Sequence, residues 1–126
     1  MATVRAIMQT DLVTVVPTAT VAQAAELMGS HSVGSALVVT DGVLVGIFTD
    51  RDIISALLES ALGRDDPVER WMTRQPRTIG PEAPVEEARR LMLAEGIRHL
   101  PVTQETNRPI GVLSMQDLVR AGLPEA

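Results

Sequence analysis

The chain has 126 residues and a formal net charge of −5, with 45% hydrophobic and 21% charged residues. That is the size and balance of a folded globular module and not of a disordered chain. Cysteine and lysine are both absent, which excludes disulfides, thiolate chemistry, lysine Schiff bases and a Walker-type phosphate loop.

In chain order, Val13–Val16 reads as a short strand stopped by Pro17. Val21, Ala24, Ala25, Leu27 and Met28 then recur at helical spacing, and Thr20 with Gln23 three places on forms a capping box. Ala36–Val39 is a buried strand, Asp41-Gly42 a hairpin turn and Val43–Phe48 the returning strand. A helix with Ile53, Ile54, Leu57, Leu58 and Ala61 on one face follows. Gly63–Pro67 is polar and rich in breakers, as a linker is. The order then repeats. Arg77–Ile79 is a strand, and a helix runs from about Val85 to Ala94, with Pro84 at its start and Glu86-Glu87 facing the helix dipole. Leu100–Thr103 and Ile110–Leu113 pair around a Gln104–Pro109 loop, and a last helix opens at Met115.

The two halves superimpose at an offset of about 64 residues, Met8 falling on Met72, Thr14-Val15 on Thr78-Ile79 and Val21 on Val85. After one inserted residue, Gly46-Ile47-Phe48-Thr49 falls on Gly111-Val112-Leu113-Ser114 and Asp52 on Asp117. This is an internal duplication. It predicts an α/β (α+β) protein of two β-α-β-β-α repeats, residues 1–62 and 68–126 joined at 63–67, packed with pseudo-two-fold symmetry. Two related clefts at the junction would be the natural small-molecule sites.

The doubled Gly-x-x-[Thr/Ser]-x-x-Asp carries the most chemistry, and it admits two readings. A hydroxyl followed three places later by an acid is a capping box that satisfies the first amides of a helix. The same geometry offers a helix N-terminus and a hydroxyl to a phosphate, and a carboxylate to the hydroxyls of a ribose. The readings do not exclude one another.

The tandem units, the Trp71-Met72-Thr73 start, the Arg98-His99-Leu100-Pro101-Val102 stretch and the doubled motif resemble a pair of cystathionine-β-synthase-type (CBS) domains. The resemblance runs from about Val4 to Leu123. It implies a regulatory module that binds AMP, ADP, ATP or S-adenosylmethionine as a sensed ligand and not as a cofactor, and that forms a homodimer. It also implies two composite clefts. Cleft one would combine Thr49, Arg51 and Asp52 with Thr78, Ile79, Arg98, His99 and Leu100. Cleft two would combine Ser114 and Asp117 with Thr14, Val15, Gly34, Ser35 and Ala36. Arg98, His99 and Arg51 supply charge and donors that cleft two lacks, so a phosphorylated nucleotide is expected in cleft one.

His99 reads equally as a phosphate donor or as a turn residue. His31 reads as a surface residue and Asp65/Asp66 as solvated or capping groups, while Trp71 is expected to fix the start of the second repeat against the sheet. No metal set and no nucleophile–base pair is visible, so an enzyme is not expected. One Phe, one Trp, no Tyr and an acidic balance leave little with which to grip nucleic acid. The opening MATVRAIMQT lacks the basic head and apolar middle of a signal peptide, and no apolar run spans a bilayer, so a cytoplasmic location without membrane partners is expected. An interaction module that dimerises without ligand, with its regulated partner unknown, is the competing expectation.

Overall fold

The computed structural model describes residues 2–59 and 61–123. Residues 1, 60 and 124–126, which include the outer ends of the two expected repeats, lie outside the described residues. The chain forms two packing units, residues 13–76 and residues 2–12 with 77–123.

In the first unit, β1 (Thr14–Val15) runs parallel to β2 (Ser35–Thr40), which pairs antiparallel with β3 (Val43–Thr49). A short β4 (Thr73–Arg74) completes the sheet beside β3. The β2–β3 turn has positive φ at both central residues, 53° at Asp41 and 78° at Gly42, the mirror-image turn whose twist suits a hairpin. α1 (Val4–Ile7) belongs to the other unit; here α2 (Val21–His31) and α3 (Asp50–Glu59) cover the sheet. The Thr20/Gln23 capping box is complete, with Gln23 N donating to Thr20 Oγ1 at 3.1 Å and Thr20 N to Gln23 Oε1 at 2.9 Å. Val21, Ala24 and Met28 on α2 pack with Val15, Ala36, Val38 and Phe48 in the core.

Several expectations for this unit change. Leu27 is partly exposed and not part of the apolar face, because the buried positions recur at Val21, Ala24 and Met28. On α3 the buried residue is Ala56, with Ile53 half-buried, while Ile54, Leu57 and Leu58 face outward and Ala61 stands beyond the helix. Gly63 lies against the backbone carbonyl of Ala56, which leaves no room for a Cβ on Gly63. Residues 63–67 are therefore packed, not loose. Gly63–Asp65 is a 3-10 turn, the Asp66 carbonyl accepts the Val21 amide, and Thr20 bridges to Pro67. Asp66 is no solvated charge either. Its Oδ2 accepts from Trp71 Nε1 at 3.0 Å and from Arg70 at 3.3 Å, and the Arg70 guanidinium lies 5.5 Å from the Trp71 ring centre. Trp71 packs against the first repeat's core, so it anchors the end of that unit.

The second unit repeats the plan. β5 (His99–Gln104) and β6 (Arg108–Ser114) form the hairpin, with α4 (Val85–Glu95) and α5 (Met115–Arg120) over it. The strand expected at Arg77–Ile79 is a single parallel bridge, Ile79 to Val102. The strands extend further than expected toward the turn: Gln104 pairs with Arg108, so the loop is only Glu105–Asn107. The inserted residue lies there, where a three-residue turn replaces Asp41-Gly42, with positive φ at Glu105 and Asn107.

The leading segments are exchanged between the repeats. Val4 on α1 is fully buried in the second unit's core, its amide bonded to the Ala83 carbonyl at 2.9 Å, and Thr3 bridges to Pro84. Val68 does the same in the first unit, its amide on the Ala19 carbonyl at 2.8 Å beside the Thr20–Pro67 bridge. Met8 seats its thioether on Gly111 as Met72 does on Gly46. Val4→Ala should cost about 2 kcal/mol, as much as Val68→Ala, because both leave a cavity in a closed core. Urea unfolding of the two variants would measure this.

Candidate functional site

In both repeats a strand runs straight into a helix, and this junction carries the doubled motif. β3 ends at Thr49 and α3 opens at Asp50, whose amide donates to the Gly34 carbonyl at 3.1 Å. β6 ends at Ser114 and α5 opens at Met115, whose amide donates to the Arg98 carbonyl at 2.9 Å. Each junction is thus tied to the residues preceding its partner strand.

The two carboxylates differ in their surroundings. Around Asp117 the capping box is complete: Ser114 N donates to Oδ2 at 2.8 Å, and Asp117 N donates to Ser114 Oγ at 3.2 Å. The other oxygen, Oδ1, accepts from Gln9 Nε2 at 3.1 Å and lies 3.5 Å from Arg120 Nη1. Asp117 is only 6% exposed. Around Asp52, Thr49 N donates to Oδ2 at 2.9 Å and the Thr49 hydroxyl donates to the same oxygen at 3.3 Å. Oδ1 of Asp52 takes no hydrogen bond from a described residue, and the group is half-buried. Asp50 is turned to its own helix start, its Oδ1 accepting the Arg51 amide at 2.8 Å.

Within the first unit the motif residues Thr49, Arg51 and Asp52 share a fold with Thr14, Val15, Gly34, Ser35 and Ala36. Ser35 pairs with Thr49 and Ala36 with Phe48, while Thr14 and Val15 pair with the neighbouring strand positions Leu37 and Val38. Within the second unit, Ser114 and Asp117 share a fold with Thr78, Ile79, Arg98, His99 and Leu100. His99 pairs with Ser114 and Leu100 with Leu113, so His99 opens a strand and is not a turn residue. Ser35, Ala36, Val15, Ile79 and Leu100 are buried; Thr14 and Arg51 are exposed. Sequence reading missed Gln9 and Arg120 at Asp117. The signal was available for Gln9, because the repeat offset places it opposite Thr73, a shorter side chain.

Burial raises the Asp52 carboxyl above its usual 3.8, with Asp50 adding to the rise; the Thr49 bonds and Arg51 oppose it. The folded chain therefore holds this proton more tightly than the unfolded chain. Between 3.8 and the raised value, the stability contributed by protonated Asp52 is lost as pH rises. Stability relative to wild type should accordingly shift in favour of Asp52→Asn between pH 3 and neutrality, as read by urea unfolding across that range.

Among the described residues no cluster of three or more His, Asp or Glu could hold a metal ion, and no helix is long and apolar enough to cross a membrane. The CBS domain model matches residues 4–59 and again 68–123. The CBS domain-containing protein YhcV of Bacillus subtilis is 40% identical over 120 residues, covering 94% of this chain and 84% of that protein. Among solved structures, the CBS domain pair of protein MJ0100, in complex with 5′-methylthioadenosine and S-adenosyl-L-methionine, matches with a TM-score of 0.89. It is 26% identical, over 96% of this chain and 95% of that one. CBSX2 in complex with AMP matches with a TM-score of 0.82 at 29% identity, over 96% of both chains.

Proposed function

The chain belongs to the CBS domain family, as a tandem pair of its repeats, and from that premise we propose that it is a regulatory module sensing an adenosine-containing ligand. The ligand class is AMP, ADP, ATP or S-adenosylmethionine, and its occupancy is passed to a partner protein. The module binds and signals without catalysing a reaction. Support comes from the related CBS pairs, which hold S-adenosyl-L-methionine with 5′-methylthioadenosine in one case and AMP in another.

The observation that carries the reading is the state of Asp52. Thr49 holds one of its oxygens at the opening of α3 and leaves the other without a bond from a described residue. A half-buried carboxylate fixed in this way accepts ribose hydroxyls at little conformational cost, since its orientation is already set. Thr49 and Arg51 stand at the same junction. Arg98 and His99 are the proposed phosphate readers, with Thr78, Ile79 and Leu100 contributing backbone contacts to the base. A guanidinium forks onto phosphate oxygens, so its removal weakens AMP more than adenosine. Thr14, Val15, Gly34, Ser35, Ala36, Ser114 and Asp117 form the second, less basic set.

Thermal unfolding with millimolar AMP should rise by several degrees for the wild type, the shift expected when ligand is at about a hundred times its dissociation constant. Asp52→Ala should abolish that rise, and Arg98→Ala should lose the preference for AMP over adenosine. A rise unaffected by Asp52→Ala would overturn the assignment, and no rise with any adenosine compound would leave the sensor reading without support.

A homodimer is part of the same proposal. Ile54, Leu57 and Leu58 on α3 are 59%, 56% and 80% exposed, a run of large aliphatic side chains that the unit's own core does not use. Such a patch is costly in water and characteristic of an association surface. It also favours the second reading, a module that dimerises without ligand. Leu57→Glu with Leu58→Glu should turn a dimer into a monomer in sedimentation velocity, with the fold retained by circular dichroism. An unchanged sedimentation coefficient would remove α3 from the interface.

A further inference from the structure

Asp117 matches Asp52 in the repeat, yet its free oxygen is taken. Gln9 Nε2 donates to Asp117 Oδ1 at 3.1 Å, while Ser114 N holds Oδ2 and Arg120 stands 3.5 Å from Oδ1. The residue that does this comes from the exchanged leading segment. Gln9 is fixed by a two-way backbone bridge to Val112, with Gln9 N on the Val112 carbonyl at 2.9 Å and Val112 N on the Gln9 carbonyl at 3.0 Å. The first repeat has the same backbone arrangement, Thr73 opposite Ile47, but Thr73 carries a shorter side chain with no carboxamide. Ser55 stands there in place of Arg120. Neither bonds Asp52, whose described partner is Thr49 on Oδ2 alone.

Resting on the ribose-reading role proposed for Asp52, we infer that Gln9 is a specificity-determining residue that closes Asp117 to ribose and confines the chain to one nucleoside, at Asp52. A ribose hydroxyl approaching Asp117 must displace a carboxamide already donating to a nearly buried carboxylate, a charge-assisted bond of the stronger kind. The incoming donor only replaces one that was there, so the exchange yields little affinity. At Asp52 the same hydroxyl meets an oxygen that takes no hydrogen bond from a described residue. The repeats thus share a motif and a fold and differ in what faces the carboxylate: a hydrogen-bond donor at Gln9, supplied from outside the motif, with Arg120 beside it.

Calorimetric titration with AMP, counting sites per chain, tests this in the 126-residue chain. The wild type should show one site, lost in Asp52→Ala. Gln9→Thr, which installs the first repeat's residue, should add a further site, weaker than the first because Arg120 remains and tighter than any wild-type second site by on the order of tenfold. Asp117→Asn in the Gln9→Thr background should remove it again. Gln9→Ala serves as the second variant if Gln9→Thr does not melt cooperatively; the bridge to Val112 is made by the backbone in both. If neither variant gains a site, or if the wild type binds a second AMP that Asp117→Ala removes, the inference is overturned. Failure of the wild type to bind AMP would instead tell against the sensor reading, and a site gained by the Gln9 variants would still support the role of Gln9.

Discussion

A β-α-β-β-α repeat of this length cannot close its own core, and the exchange of leading segments is how this chain closes both. Val68 fills the core beside Val21 and Phe48; Val4 fills the one beside Val85 and Leu113. Each is fully buried and each arrives on a short helical turn held by a backbone amide to a carbonyl before α2 or α4. The site depends on these segments too. Met72 lies on Gly46 and Met8 on Gly111, three residues before the hydroxyl of each motif. A thioether there fixes the strand that delivers Thr49 or Ser114 to its helix. A side chain at either glycine would displace the sulfur that now occupies its space.

The same geometry explains how one motif comes to have two chemical states. Local sequence places a hydroxyl at the end of a strand and an acid three residues on, and at both junctions Oδ2 of that acid accepts the amide of the strand's last residue, Thr49 or Ser114. What the second carboxylate oxygen meets is decided by the segment lying alongside. Asp52, with Thr73 at the position matching Gln9, is half-buried and raised in proton affinity by desolvation. Gln9 and Arg120 give Asp117 donors within a nearly dry environment. The capping and ligand-binding readings of the motif therefore do not compete in the abstract. Asp117 is engaged on both oxygens, whereas Asp52 caps with one and keeps the other.

On α3 the core takes Ala56, while Gly63 sits against the Ala56 backbone carbonyl with no room for a side chain of its own. Ile54, Leu57 and Leu58 are left exposed. Their helical spacing is real, but it describes a face that the unit does not bury.

Much of the architecture was legible in the order of residues, because it rests on interactions between near neighbours. The repeat, the two hairpins, the Thr20/Gln23 cap and the Ser114/Asp117 cap depend on periodicity, on glycine at positive φ and on side chains three places apart. Family membership followed from the order and repetition of those same pieces. Tertiary structure decided the rest. It decided that residues 2–12 complete the second repeat, that residues 63–67 are packed, that the β5–β6 turn is three residues long, and that Gln9 reaches Asp117 across more than a hundred residues of chain. Periodicity reports which face of an element is apolar, but it carries no information on which distant segment arrives to cover that face or to bond a carboxylate. That choice depends on the volumes and backbone hydrogen bonds that only the folded chain brings together.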